Sequence, residues 1–238
     1  PLLLLILIGC SEPDGPYKSY YDNGQLKQEG TYKDGELDGP YKNYYKNGQL
    51  EWEVTYNNGE EDGLWKYYNE NGQLEEEGTY KDGELDGLWR FYDENGQREE
   101  EVNYEDGELD GPYRSYRDNG QLLSEGTYKD GKLDGSYKEY YSNGYGQLRV
   151  EGTHKDGKQD GPVKFYYPNG QLETEGTYND DYTEDGLWKS YYPNGQLQVE
   201  GTYKDGKSDG LWKWYYENGQ LKYEDIHENG ELIYFKEY

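Results

Sequence analysis

The sequence predicts an all-β protein, an elongated single-layer antiparallel β-meander of about nine two-stranded repeats, twisted and curled. Three observations predict it. An Asp recurs every 24 residues, at Asp14, Asp38, Asp62, Asp86, Asp110, Asp134, Asp160, Asp185 and Asp209, with spacings of 26 after Asp134 and 25 after Asp160. The extra residues, Tyr145-Gly146 and one within 179–184, fall in turn-like segments, as expected when a fixed module is copied. Each module also carries an Asn-Gly pair, at Asn23, Asn47, Asn71, Asn95, Asn119, Asn143, Asn169, Asn194 and Asn218. Third, 32 Tyr supply most of an aromatic content of 17%, while aliphatic residues are scarce. Tyr joins apolar area to a polar tip, which suits a thin sheet wet on both faces better than a deep core.

The first unit, residues 14–37, shows how the elements follow. Asn-Gly is the strongest short hairpin signal, because a type I′ turn needs positive φ at both central residues. Centring that turn on Asn23-Gly24 sets Tyr21 opposite Leu26, Ser19 opposite Gln28, Lys18 opposite Glu29 and Tyr17 opposite Gly30. A second turn at Asp34-Gly35 sets Tyr32 opposite Leu37. Each unit is therefore two strands and two turns. Eighteen strands at ~4.8 Å would span roughly 85 Å. The shift between pairings is 22 residues against a repeat of 24, which predicts a two-residue stagger per unit and tilted strands. The repeats run over 14–232, and residues 233–238 read as a closing edge strand whose Lys and Glu discourage further pairing.

Chemistry supports this register. The Lys18 position is basic in all nine units, continuing through Lys42, Lys66, Arg90, Arg114, Lys138, Lys164, Lys189 and Lys213. Its partner is always Glu, from Glu29 to Glu224. Opposite charges facing across strands contribute roughly 0.2–1 kcal/mol each. Alternation then separates two faces. Face one holds the Tyr17 position, which becomes Tyr41, Trp65, Trp89, Tyr113, Tyr137, Val163, Trp188 and Trp212, usually opposite a Gly that gives the ring room. Face two holds the Lys–Glu pairs, Thr31 and an invariant Tyr: Tyr20, Tyr44, Tyr68, Tyr92, Tyr116, Tyr140, Tyr166, Tyr191 and Tyr215. Face one is the expected packed side. Trp65, Trp89, Trp188, Trp212 and the nine face-two tyrosines are the candidate partner-binding aromatics, since Tyr and Trp most often dominate such contacts.

The net charge of −27 amounts to three negative charges per unit. That field disfavours nucleic acid and anionic lipid, and favours basic partners. The chain contains no Met, so the initiator is absent. Residues 2–8 form an apolar run too short to span a bilayer. The run and the following Leu7-Ile8-Gly9-Cys10 resemble the end of a bacterial lipoprotein signal peptide. The resemblance implies that residues 1–9 are a signal-peptide remnant, that Cys10 is lipidated, and that 10–13 is a short linker. The membrane would be reached only through this anchor. Ser11 after the Cys implies outer-membrane retention in a Gram-negative envelope; an incidental lipobox would leave the protein cytoplasmic. Cys10 is the only cysteine, which excludes an internal disulfide.

The recurring Asp-Gly-x-Trp-Lys-x-Tyr-Tyr-x-Asn-Gly-Gln-Leu-x-x-Glu-Gly-Thr-Tyr-Lys-Asp-Gly, nearly whole in residues 185–206 apart from Pro193 and local substitutions, resembles MORN repeats. It is most similar to the bacterial variant in proteins named as YwqK-family antitoxins. The likeness covers 14 to about 232 and implies a scaffold or binding surface; the antitoxin name implies neutralisation of a toxin partner. Departures are Arg98 for Leu, Val54 and Val102 for Gly, and Val163 for the aromatic.

No catalytic constellation stands out. His154 and His227 both occupy the Tyr32 position and read as substitutes for Tyr, not as a metal pair. No Ser–His–Asp set, Cys–His pair or phosphate loop occupies a special place. The acids recur in every unit, whereas a catalytic pair should break the pattern once. The Asp34-Gly35-Glu36-Leu37-Asp38 turn has the alternate oxygens of a calcium loop, but Lys132, Lys158 and Lys207 replace the middle Glu elsewhere. The expectation is a non-enzymatic, lipid-anchored scaffold with no cofactor or metal, binding a protein or glycan through an acidic Tyr/Trp-rich sheet. The alternative is an antitoxin or immunity-like protein that covers a basic toxin.

Overall fold

The computed structural model describes residues 14–142 and 146–238; Cys10 and the Asn143-Gly144-Tyr145 turn lie outside them. The described residues form 22 strands and no helix. They divide into two compact units, one up to Glu108 and the other Leu109–Tyr238. Each is an antiparallel meander of the expected two-stranded repeats. The count exceeds eighteen for simple reasons. Three opening strands are interrupted, at Asp38, Asp62 and Asp110, and a last strand runs Glu231–Glu237.

The register holds along most of each hairpin: Tyr17 faces Gly30, Lys18 faces Glu29 and Ser19 faces Gln28. It fails at the tip. Tyr20, not Tyr21, faces Leu26, because a bulge intervenes. The reason is the turn itself. Gly24 has φ 84 while Asn23 is not left-handed, so this is not a type I′ turn. Gly24 N–H donates to Tyr21 O and Tyr21 N–H to Gln25 O, both at 2.8 Å. That is a three-residue loop, a type I turn followed by a left-handed Gly. The type I′ turn is instead the second one, where Asp34 and Gly35 have φ 53 and 83 between paired Lys33 and Glu36. The Asn-Gly asparagine is kept for another bond. Its amide reaches the carbonyl of the next unit's tip, from Asn23 to Lys46 at 3.2 Å and from Asn47 to Glu70 at 2.8 Å.

The inserted residue in 179–184 changes turn type locally. Asn179 N–H bonds Thr183 O and Tyr182 N–H bonds Asn179 O, reproducing the three-residue loop with Tyr182 at φ 65 where Gly would normally stand. The Asn179 carboxamide oxygen accepts from Asp181 and Thr183 N–H and from the Thr183 hydroxyl, which holds a bulky residue in that conformation.

The expected stagger is overturned. Tyr32 faces Leu37, yet three residues back Glu29 faces Lys42, not the residue a regular ladder would give. The opening Asp-Gly takes up two extra residues as a bulge, with Gly39 at φ 99. The same slip recurs between Glu77 and Thr79 and between Gly152 and His154. It cancels the two-residue drift, so equivalent residues of successive repeats line up in straight rows.

Burial identifies face one as the packed side. Tyr41, Val54, Trp89 and Val102 are buried in the first unit; Val150, Val163, Trp188 and Trp212 are buried in the second. The second unit's cluster of Val150, Val163 and Trp188 is flanked by Tyr137, Phe165, Tyr178 and Tyr203. Where the preceding repeat keeps its Gly, the tryptophan ring leans over it: a Cβ on Gly78 would meet Trp89 at 2.2 Å, and one on Gly201 would meet Trp212 at 2.0 Å.

Candidate functional site

Straight rows turn face two into a ladder. Glu29 faces Lys18 on one side and Lys42 on the other, and Glu77 likewise lies between Lys66 and Arg90. Contacts include Lys18–Glu29 at 3.0 Å, Lys42–Glu53 at 3.2 Å, and Arg90 to both Glu77 and Glu101 at 3.2 Å. Cations and carboxylates alternate along the row, so the row cancels its own charge.

The invariant tyrosines complete it. Six donate their hydroxyl to the Glu of the preceding repeat: Tyr44 to Glu29 at 2.6 Å, Tyr92 to Glu77 at 2.8 Å, Tyr140 to Glu125 at 3.0 Å, Tyr166 to Glu151 at 2.6 Å, Tyr191 to Glu175 at 2.8 Å and Tyr215 to Glu200 at 3.0 Å. Burial first, and the carboxylate bond second, push Tyr44, Tyr140, Tyr166 and Tyr191 up to about 12. Tyr68 shifts the same way through burial and Glu53. The Tyr44 bond also helps to hold the Glu29 carboxyl below its usual range, with Lys18 next in effect. Tyr116 lies in the same row. Tyr20 is 60% exposed, having no described repeat before it. The hydroxyls of this set therefore serve the sheet.

The tryptophan candidates divide. Trp89, Trp188 and Trp212 are at most 8% exposed and offer no free face. Trp89 and Trp188 also donate their indole N–H to the Thr79 and Thr177 carbonyls at 3.1 and 3.2 Å. Trp65 is half-buried. Val54 stands where others have Gly, and Trp65 stacks on Trp52 at 5.4 Å instead. A half-buried face-one row that sequence reasoning missed runs beside them. It includes Trp52, Tyr67 and Phe91 in the first unit and Phe165, Trp214 and Tyr223 in the second. Its signal was available, since this packed-side column changes residue type from repeat to repeat.

The structure brings one Ser, His and Asp together in the last repeat. Ser208 Oγ lies 3.0 Å from His227 Nδ1, and His227 Nε2 lies 3.4 Å from Asp225 Oδ1. All three break the repeat: Asp225 replaces Gly and is 8% exposed, with its Oδ1 lacking a hydrogen bond. His154 occupies the same column with neither companion, opposite Gln159 and two residues after Gly152. Among the described residues no group of three or more His, Cys, Asp or Glu is placed to hold a metal ion.

The charge excess is concentrated elsewhere. With the ladder neutralised, unpaired acids gather at the Asp-Gly turns, as at Asp34, Glu36, Asp82, Glu84, Asp106 and Glu108, all exposed. Residues 14–108 hold 26 acidic and 9 basic side chains, a net −17; residues 109–238 hold 24 and 15, a net −9.

The MORN repeat variant family matches residues 13–34, 37–58, 61–82, 85–106, 109–130, 159–180, 184–205 and 208–229. The chain belongs to this MORN repeat family. The unmatched sixth copy is the one with Tyr145-Gly146 inserted. No curated protein matches the chain. Solved structures sharing some likeness include the TcdB2-TccC3-Cdc42 complex (13% identity, TM-score 0.23, 89% of this chain and 13% of that one). Another is the Photorhabdus luminescens Tc holotoxin pore (12%, 0.24, 92% and 16%). This chain spans only a small part of either, and no argument rests on likenesses this low. Within the family, the all-β array is a repeat scaffold of the kind that mediates interactions.

Proposed function

We propose that this MORN array is a non-enzymatic scaffold that binds a basic protein along the acidic Asp-Gly edge of residues 14–108. The supporting observation is the partition of charge: the ladder is balanced within itself, whereas acids outnumber cations along the edge, where Lys33 pairs with Asp38 at 3.7 Å. Equivalent turns recur every two strands, about 9.6 Å apart. This is close to the Debye length of ~10 Å at 0.1 M salt, so neighbouring turns act on a partner together. Half-buried Trp52, Tyr67 and Phe91 add aromatic contact area nearby in sequence. A basic toxin is one partner of this chemistry, which keeps the antitoxin role as the second reading; a glycan partner would not follow the charge. Cys10 would tether the array to the envelope by its lipid.

The test is capture from the native membrane fraction, followed by binding measured against sodium chloride. Binding to a basic protein that weakens steeply with salt, and weakens further on charge-neutralising Glu36, Glu60 and Glu84 to Gln, is the expected result. Salt-insensitive binding would overturn the reading, and capture of a glycan would replace it. For the anchor, a palmitate analogue should label the protein and Cys10→Ala should abolish both labelling and membrane partition; labelling that persists in the variant sinks the lipoprotein assignment.

A further inference from the structure

Every tip loop carries Asn-Gly, the pair in which a backbone nitrogen most readily attacks the preceding carboxamide, because Gly has no Cβ to hinder the approach. Exposure does not separate the tips, since all the described tip asparagines are exposed. Bonding does. In six of them the carboxamide oxygen accepts the N–H of the Gln two residues on, as at Asn23 (3.1 Å), Asn47 (2.9 Å) and Asn169 (3.0 Å). In four of these six the amide N–H also reaches a carbonyl of the next tip.

Asn71 and Asn95 are the exceptions, and one position explains both. The residue two before them is Asn69 or Asp93, where the other repeats have Tyr or Arg117. That short polar side chain takes the loop bonds itself. Asn69 Oδ1 accepts Asn71 N–H at 3.0 Å and Gln73 N–H at 3.1 Å; Asp93 Oδ1 accepts Asn95 N–H at 2.8 Å and Gln97 N–H at 2.7 Å. Among the described residues the Asn71 carboxamide has no hydrogen bond, and that of Asn95 has a single contact to Asp93 at 3.5 Å. The replacement also removes a brace. Tyr21, Tyr45, Tyr167 and Tyr192 donate their hydroxyls to a carbonyl of the next repeat at 2.6–2.8 Å. The Asn69 amide goes instead to Gln73 in its own loop at 3.4 Å. Asp93, held below the ordinary carboxylate range chiefly by the Gln97 N–H, has no proton to give.

We propose that Asn71-Gly72 and Asn95-Gly96 are sites of spontaneous deamidation from which the tied tips are protected. The Gly nitrogen attacks the Asn Cγ, the Cγ–Nδ2 bond breaks, and ammonia leaves with the amide proton. Water then opens the cyclic imide at either carbonyl, giving Asp or isoaspartate. The Gly N–H is not what distinguishes the tips, because Gly72 and Gly96 donate within their own loops at 2.8 and 2.9 Å, just as Gly24 does. It does set apart the Asn-Gly pairs of the type I′ turns. Gly59 and Gly230 donate across to Leu37 and Ser208 carbonyls at 2.9 Å, so there the sheet itself holds the nucleophile. Asn143 lies outside the described residues and has no place in this ranking. Each event adds one negative charge to a region already at −17, and isoaspartate also reroutes the backbone through Cβ. The tips lie at the opposite strand ends from the acidic turns, so this inference stands apart from the partner-binding reading.

The experiment incubates the folded 238-residue chain at mildly alkaline pH, below its melting temperature, and scores each Asn by peptide mass mapping. Asn71 and Asn95 should convert roughly tenfold or more faster than Asn23, Asn47, Asn169 and Asn194, the effect of two typical hydrogen bonds. The urea-unfolded chain is the reference, and there the pairs should level out. Asn69→Tyr restores the usual residue and should slow Asn71 to the rate of Asn47. Tyr45→Asn should do the reverse, speeding Asn47 by about tenfold or more. Uniform rates in the folded chain, conversion led by another described pair, or an Asn71 rate untouched by Asn69→Tyr overturns the proposal. So does a ranking that persists unchanged in urea, since the local sequence alone would then explain it.

Discussion

Residues 14–108 and residues 109–238 are built from the same repeat, yet they treat one position oppositely. After its type I′ turns the first region places Glu36, Glu60, Glu84 and Glu108; the second places Lys132, Lys158 and Lys207, with Thr183 after its three-residue loop and Glu231 alone keeping the acid. The fold accepts either sign, because this side chain sits beside a turn and is exposed or nearly so. The ladder position tolerates no such freedom: it is basic in both regions, since each cation is wedged between two carboxylates. Positions locked by neighbours on both sides define the fold, and positions facing water are free to define the partner.

The largest expected contrast lies on the packed side. Gly78→Ala, in the first region, drives a Cβ into Trp89 at 2.2 Å. It should cost about 1–3 kcal/mol, as overpacking does. Gly152→Ala, in the second, meets Gln159 at 3.2 Å, the Pro162 carbonyl oxygen at 3.3 Å and Val163 at 3.4 Å, a looser fit because Val163 replaces the ring. It should cost under about 1 kcal/mol. Urea unfolding of both variants checks this; equal costs would mean that the rings move aside freely.

Next comes the ladder. Lys66→Glu sets three carboxylates in a row with Glu53 and Glu77, and should cost roughly 0.5–2 kcal/mol. Lys138→Glu, between Glu125 and Glu151, should cost less in the less acidic region, the gap closing as salt rises. Swapping Glu77→Lys into the first variant should show favourable coupling without restoring stability. The new Lys faces Arg90, and the new Glu still faces Glu53. A full rescue would show that only one side of each residue matters.

Tyrosine hydroxyls give a smaller effect. Tyr44→Phe loses a bond to Glu29 and should cost about 1 kcal/mol, whereas the exposed Tyr20→Phe should change stability within about 0.5 kcal/mol. The shifts set a pH signature. An unfolded Tyr ionises near 10, while Tyr44 in the first region and Tyr140, Tyr166 and Tyr191 in the second are raised to about 12. Their contribution is whole below pH 10 and lost as the pH rises from there through 12. A phenolate absorbance titration alongside circular dichroism should show ionisation and unfolding together in that window.

The smallest contrast is on the acid side, where only the second region contains histidines. Burial holds His154 below its ordinary 6.5. The unfolded chain therefore takes up a proton first, and stability present above pH 6.5 declines as the pH falls below it. His154→Tyr, which restores the repeat, should flatten that decline in a melting series; an unchanged slope would assign it to other groups.

Much of this was legible because repetition exposes constraint. The pairing of Lys18 with Glu29 followed from charge and spacing, and burial of the Trp column followed from the Gly beside it. The tip was not legible, because Asn-Gly serves two turn types. Asn23 avoids the left-handed conformation and its amide reaches the next repeat, a contact that lies beyond the local sequence. The stagger was misread for a similar reason: a bulge is invisible when all residues are assumed to pair. Ser208 escaped because it meets His227 only across strands, and Asp225, two residues before His227 on the same strand, read as a mere departure from Gly.

The Asp-Gly bulge has a consequence for how such a chain can change in length. Because each copy resets its own register, a unit can be gained or lost by unequal recombination without disturbing the rows on either side. A 24-residue deletion cut at any phase should splice ladder to ladder, while a 12-residue deletion would join a strand to one of the wrong polarity. Copy number becomes heritable variation separate from fold, and natural selection can adjust the reach of the surface in whole steps.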